Sequence, residues 1–113
     1  MTMIAVDERM LVHSFDYYPY IGEDKYHQPE YGPKQVISKT RVDVSSYYRK
    51  NIREKTVDLY AVIFCYAGLT SPLPKFIEQS KVVFDSMNLT IERVIPLYQP
   101  FSAELFGYEL EVV

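Results

Sequence analysis

The apolar residues of this chain recur mostly at every second position, which is the period of a β-strand. The segment 106–112 shows this alternation best. Its apolar positions are Phe106, Tyr108, Leu110 and Val112. One face of this strand is therefore expected to enter a core, while Glu109 and Glu111 lie on the opposite face, in solvent.

Five other segments have strand-like patterns, and turn residues separate them. They are 10–17, 36–44, 57–66, 81–84 and 89–97. Segment 57–66 is apolar on both faces, which predicts a central strand or one whose outer face is given to a partner. In the fifth segment the alternation breaks after Ile91, as a β-bulge would cause. The turn-rich link 85–88 predicts a hairpin between the last two segments.

Six short strands with little room for helix predict an all-β fold, either a small six-stranded antiparallel β-barrel or a sandwich. At most one short helix is expected, beginning near Pro74. A chain of 113 residues fits a single domain, residues 1–113. We assign residues 1–9 to an N-terminal arm and residues 17–35 and 45–56 to long loops.

Composition narrows the classes of function. The net charge of −3 argues against a protein whose main affinity is for a phosphate backbone. The start of the chain lacks the pattern of a signal peptide, and no apolar run is long enough to span a bilayer, so synthesis in a reducing cytoplasm without membrane insertion is expected. The single cysteine, Cys65, lies in an apolar run and is expected to be a buried, unreactive thiol.

The chain lacks recognisable catalytic motifs, so no enzymatic activity, cofactor or catalytic residue is expected. The best metal candidates are Glu23, Asp24, His27 and Glu30. They lie in a polar loop with nothing to fix coordination geometry, and a solvated loop without metal is the preferred interpretation. His13 lies on the apolar face of the first strand, where a hydrogen-bonded structural histidine is the default.

The loop 17–35 is rich in tyrosine, a residue common at protein interfaces. Its tyrosines are Tyr17, Tyr18, Tyr20, Tyr26 and Tyr31. The loop is either a flap over the protein's own core or a surface that docks another protein. Farther along, Phe76 and Ile77 are expected to cap one end of the core.

The loop 45–56 concentrates positive charge, because four cations face the single acid Glu54. They are Arg49, Lys50, Arg53 and Lys55. The segment carries +4 − 1 = +3, so the remainder of the chain carries about −6. Such a run is either a soluble hairpin tip or a contact surface, and the residues alone leave both open.

Several short motifs, in order and spacing, carry a family resemblance. They are Arg41-Val42-Asp43, Val62-Ile63-Phe64, Ser71-Pro72-Leu73-Pro74-Lys75-Phe76, Ser80-Lys81-Val82-Val83-Phe84, Val94-Ile95-Pro96-Leu97-Tyr98 and Tyr108-Glu109-Leu110-Glu111-Val112. Together they resemble the minor capsid proteins of tailed phages that infect Gram-positive bacteria. The chain looks like the relatives of head-closure, or stopper, proteins of the siphophage neck.

This resemblance implies a β-barrel subunit in a ring between the portal adaptor and the tail or tail terminator. Such a ring, built from identical subunits, holds packaged DNA in the head, and the virion is assembled in the host bacterial cytoplasm. In related stoppers the loop between the second and third strands projects into the channel. Here that loop is 45–56, so its four cations would meet DNA transiently.

The resemblance also implies partners for the aromatic residues. The tyrosines of 17–31 would face a neighbouring subunit or the adaptor, and Phe76 and Ile77 would meet a neighbour in the ring. Other candidate functions are a tail terminator of the same virion, a small nucleic-acid-binding barrel and a small enzyme. The nucleic-acid-binding barrel would require aromatic residues and cations on one strand face, whereas the cations here lie in a loop.

Overall fold

Six antiparallel strands of this chain close into a β-barrel in the computed structural model. The structure describes residues 6–50 and 55–113, and for 45–50 and 55–59 it describes the backbone alone. The strands are β1 His13–Tyr18, β2 Tyr20–Glu23, β3 Pro29–Tyr31, β4 Gln35–Lys50, β5 Lys55–Tyr66, β6 Lys81–Phe84, β7 Met87–Tyr98 and β8 Leu105–Val112. The barrel order is β1-β4-β5-β8-β7-β6, and β2 and β3 form a separate two-stranded sheet. The predicted all-β class is confirmed, and the barrel is the form adopted.

Alternating residues from all six barrel strands fill the interior. The buried core cluster is Phe15, Tyr17, Ile37, Val42, Ala61, Ile63, Cys65, Phe76, Val82, Leu89, Ile91, Leu110 and Val112. In β8, Leu110 and Val112 are fully buried as predicted, and Tyr108 packs against the cluster from a half-buried position. Burial raises the pKa of the Cys65 thiol to about 12, so the thiol stays protonated at neutral pH.

The predicted hairpin and bulge are both present. Residues Asp85 and Ser86 have φ angles of 49° and 66° and join Phe84 to Met87. Two consecutive positive φ angles are typical of a type I′ turn, whose twist matches that of the flanking strands. In β7 the pairing with β8 shifts register between Ile91 and Arg93, where the alternation breaks.

The segment 45–56 differs from the prediction of a long loop. Strands β4 and β5 continue to pair from Ser45 and Tyr60 out to Lys50 and Lys55. About half of the backbone N–H and C=O groups bond across such a ribbon whatever its side chains, and water can satisfy the others, so polar residues did not end the strands. Among the described residues, 45–60 pair with no third strand, because β5 meets β8 only from Ala61 onward. We call residues 45–60 the β4–β5 arm.

The other two irregular segments also differ from expectation. Residues 17–35 include the end of β1 and the β2–β3 hairpin, rather than one long loop. No α-helix begins near Pro74, and in the described residues the helical structure is a 3₁₀ turn at Glu8–Met10. The N–H of Ile77 donates to the hydroxyl of Tyr17 at 3.0 Å, so a core residue binds a backbone group that a helix would use.

Candidate assembly surfaces

The β4–β5 arm carries most of the predicted cationic site. The backbones of Arg49, Lys50 and Lys55 occupy the two outermost paired rows, where Arg49 faces Thr56 and Lys50 faces Lys55. Arg53 lies outside the described residues. Five steps separate Ser45 from Lys50, so the ribbon extends about 17 Å at the usual rise of a strand. The sequence thus places positive charge at the end of an extension from an otherwise acidic protein.

The outer face of β5 is apolar, as the sequence predicted. Ala61, Ile63 and Cys65 face the core, so the outward positions are Tyr60, Val62, Phe64 and Tyr66. A groove of about 420 Å³ lies on this outer face, at the base of the arm. It is lined by Tyr60, Val62, Glu92, Glu111, Val112 and Val113, and we call it the β5 groove.

The β8 carboxylates lie on the same outer face. Glu111 pairs in register with Val62, and Glu109 pairs with Phe64. Both are half-buried rather than fully solvated, which corrects the expectation of carboxylates in open solvent. Their neighbours on β5 are apolar, which accounts for the partial burial. Within residues 6–50 and 55–113 neither of them forms an ion pair.

The N-terminal turn covers the other end of the β5 outer face. A hollow of about 250 Å³ lies between this turn and the side chains of Phe64 and Tyr66. Arg41 binds Asp43 at 2.9 Å beside it. Burial, followed by the nearby carboxylate of Glu109, raises the pKa of Tyr66. This end of the face is therefore partly covered by the chain itself, whereas the β5 groove is open.

The predicted tyrosine surface divides between core and hairpin. Tyr17 is only 1% exposed, and its ring meets that of Phe76 at 5.0 Å. Phe76 is likewise buried, where it also contacts Phe15 and Tyr108. Both residues therefore contribute to the core rather than to a free contact surface, because aromatic residues from three elements meet at this end of the barrel.

The remaining tyrosines are on or beside the β2–β3 hairpin. Tyr20 and Tyr31 face each other with ring centroids 6.4 Å apart, and Tyr26 at the hairpin turn is 69% exposed. The Tyr18 ring has the ammonium group of Lys81 5.1 Å from its centroid. Ile77 is also exposed. These side chains remain available for contact with another protein.

A hydrogen-bonded chain fixes the start of this hairpin to the core. The N–H of Tyr20 donates to Ser80 Oγ at 2.9 Å, and Ser80 Oγ lies 3.4 Å from the hydroxyl of Tyr17. The N–H of Gly32 donates to the carbonyl of Pro19 at 2.7 Å, which closes the base of the hairpin. The hairpin is therefore anchored at its base, while its turn lies in solvent.

The polar residues considered as candidate catalytic or metal-binding residues make ordinary structural contacts or lie in solvent. His13 Nδ1 accepts the N–H of Val42 at 3.0 Å, and its ring packs edge-on against Phe84 at 5.4 Å. His27 lies 3.2 Å from Glu23 at an exposed site. The described part of the chain contains no group of three or more side chains placed to hold a metal ion.

Sequence reasoning missed one surface feature, the tip of the β7–β8 hairpin. Phe101 is 90% exposed there, and Tyr98 next to it is largely exposed as well. The signal was present in the sequence, because Pro100-Phe101-Ser102 places a large apolar residue inside a turn-like stretch. Phe101 and Tyr98 together place aromatic surface in solvent, which makes this tip a candidate contact surface.

A small barrel that presents a cationic arm, an open apolar groove and two aromatic hairpin tips has the surfaces of a structural subunit. The comparisons agree: the minor capsid protein family matches this sequence over residues 7–112. This chain belongs to the minor capsid protein family. It is therefore a phage minor capsid protein and a component of the virion, which points to a structural rather than an enzymatic role.

One curated relative comes from a phage. "Uncharacterized protein ORF5" of Lactococcus phage LL-H is 26% identical over 80 residues, which is 68% of each chain. No solved structure matches this chain significantly. Among the described residues, no helix has the length and apolar character needed to cross a bilayer.

Proposed function

We propose that this minor capsid protein is a head-closure, or stopper, component of the phage neck. In this role it forms a ring of identical subunits beneath the portal adaptor, retains packaged DNA and provides the surface on which the tail docks. It would do so without catalysis. The observation that carries the proposal is the β4–β5 arm, a two-stranded extension of the barrel wall with cations at its end.

The distribution of charge supports contact with DNA at the arm alone. A polyanion is attracted to a cationic tip, and a ring would repeat that tip once per subunit. The arm, residues 45–60, carries +4 − 2 = +2, so the rest of the chain carries −5, which would keep DNA from adhering to the barrel. A channel with this distribution can hold DNA at one level and still let it pass on ejection.

The two aromatic hairpin tips are the proposed docking sites for partners of the ring. The β2–β3 tip presents Tyr26 and Ile21, and the β7–β8 tip presents Phe101. Exposed aromatic side chains of this kind are the anchors that most often dominate protein interfaces. The partners proposed for these tips are the portal adaptor and the tail or tail-terminator protein.

The charge on the arm gives the first test. The double substitution Arg49→Glu and Arg53→Glu is expected to yield heads that lose their DNA, because the arm would then repel the phosphate backbone. Packaged DNA that resists added nuclease, together with the infectious titre, measures the effect in a phage whose own copy of the gene is deleted. A fall of at least about tenfold in both is expected.

Lys34→Glu with Lys75→Glu is the matched control, since it makes the same change of charge at two exposed sites on the barrel. That variant should package DNA and infect normally. If the arm variant also kept its DNA and its titre, the proposed role in DNA retention would be wrong.

The β7–β8 tip gives an independent prediction. Phe101→Ser should change the free energy of unfolding by less than about 0.5 kcal/mol, because a side chain that is 90% exposed contributes little to the core. Incorporation of the protein into particles should nevertheless fall, because the anchor for a partner is lost. Ala103→Ser in the same loop is the control. Normal incorporation of the Phe101→Ser protein would exclude this tip as a docking site.

A further inference from the structure

The β5 groove has the chemistry of a binding site for a cationic, partly apolar segment. Val62 and the exposed Val113 supply its apolar floor, and Glu92 and Glu111 contribute two carboxylates. Glu92 is exposed and Glu111 is half-buried. Burial of an apolar segment on this floor would be favourable, and the two carboxylates would select an occupant with positive charge.

Among the described residues, neither of these carboxylates forms an ion pair. Arg93 faces Glu111 in the register of β7 and β8, yet the two form no ion pair in the described residues. On the other side of Val62, Asp43 is already bound by Arg41. The groove and its surroundings therefore carry excess negative charge in the single chain.

The β4–β5 arm has the complementary composition. Its residues 47–53 read Tyr-Tyr-Arg-Lys-Asn-Ile-Arg, which combines two aromatic residues and an isoleucine with three cations. The arm of a chain cannot fill that chain's own groove, because the arm leaves the barrel at Tyr60, on the rim of the groove. Arg49 lies four rows beyond Ser45, or about 13 Å farther out along the ribbon.

We infer that the arm of one copy lies in the β5 groove of a second copy. The arm and the groove are different surfaces, so each copy gives an arm to one neighbour and receives an arm from another. This is a head-to-tail contact, which closes into a ring when the rotation between copies permits. The inference rests on the proposed function, since the ring places copies side by side, and it adds the surfaces that join them.

Charge exchange between arm and groove tests the inference. In the deletion phage, Glu92→Lys with Glu111→Lys should reduce incorporation of the protein into particles by about tenfold, because cations would then oppose cations. Arg49→Glu with Lys50→Glu should do the same. Combining all four substitutions in one chain should restore incorporation to within about threefold of the natural protein.

Glu8→Lys makes the same change of charge at an exposed site in the N-terminal turn, outside the groove and both hairpin tips, and serves as the control for added charge. The midpoint of thermal unfolding of each purified variant shows whether it folds. If the variant with Glu111→Lys does not fold, Glu92→Lys alone replaces it. Unchanged incorporation of a folded groove variant would overturn the inference. Failure of the exchange to restore incorporation would also overturn it, since the groove would then serve another partner.

A disulfide supplies a test that does not depend on charge. Arg49→Cys with Glu92→Cys should give covalently linked chains in oxidised particles, whereas Arg49→Cys with Glu104→Cys should not. The two positions are too far apart within one chain, because a disulfide needs Cα atoms within about 7 Å. The native thiol of Cys65 is buried and does not compete. Absence of linked chains in the first variant would contradict the proposed contact.

These tests separate the inference from the proposed function. The chain with all four substitutions restores incorporation in one outcome, while the particles still lose their DNA. The arm then also needs its positive charge to hold DNA, and both proposals stand. If incorporation never depended on the groove while arm reversal released DNA, the inference fails and the head-closure function remains.

Discussion

Replacing Gly107 with alanine is expected to lower the free energy of unfolding by about 3 kcal/mol or more, since overpacking against rigid atoms is among the costliest substitutions. Gly107 pairs with Tyr66 where β5 and β8 form the barrel wall. A Cβ atom at position 107 would lie 2.2 Å from the carbonyl oxygen of Cys65 and 3.1 Å from the Cα of Tyr66. Both are backbone atoms, so relief requires the two strands to separate.

Chemical denaturation followed by circular dichroism measures this loss. Gly68→Ala is the matched control, because a Cβ at Gly68 meets nothing within 4 Å while the φ of +83° remains unfavourable for alanine. That control should cost about 1 kcal/mol. Equal losses at the two glycines would show that β5 and β8 do not approach as closely as described.

Leu110→Ala should lower the free energy of unfolding by about 2 to 5 kcal/mol, the range for truncating a fully buried leucine. Leu110 lies in the barrel wall between Ile63 of β5 and Val94 of β7, and none of its surface is exposed. Truncation removes apolar contacts and leaves a cavity that the closed barrel cannot easily collapse.

Leu105→Ala is the control for this substitution, since Leu105 begins the same strand in a half-buried position. A loss there of less than about 1 kcal/mol is expected, because less apolar surface leaves the interior. The same denaturation experiment applies to both variants. A cost below about 1 kcal/mol for Leu110→Ala would mean that β8 turns its other face to the core.

The barrel was predictable where side-chain alternation and burial coincide. All six barrel strands appear in the sequence as alternating or apolar segments, and the break after Ile91 marks the bulge in β7. A strand that lines a closed barrel must place alternate residues inside, so apolar residues recur at every second position of its sequence. The apolar outer face of β5 was likewise predictable, because segment 57–66 has apolar residues at both odd and even positions.

The extensions of the barrel could not be predicted in this way, because they do not line its interior. In the β4–β5 arm the pairing of two backbones maintains the strands, and no core requires an apolar period. Strands β2 and β3 are short and have no buried residue, so proline and polar residues concealed them. Tyr17 and Phe76 were ambiguous because aromatic residues suit both a core and an interface, and only the fold shows that they meet in the interior.

Closure of the barrel also limits how copies of this protein can associate. Each of the six barrel strands hydrogen-bonds to a strand on either side along part of its length, so the closed part of the wall offers no edge on which a foreign strand could extend the sheet. Unpaired strand edges remain on the β4–β5 arm, where the described residues pair with no third strand. Another molecule that meets the closed part of the wall can contact only its side chains and grooves, whereas pairing of a foreign strand is confined to edges such as those of the arm. Closure thus shields most of the sheet from uncontrolled strand addition and leaves the arm as the place where such pairing can begin.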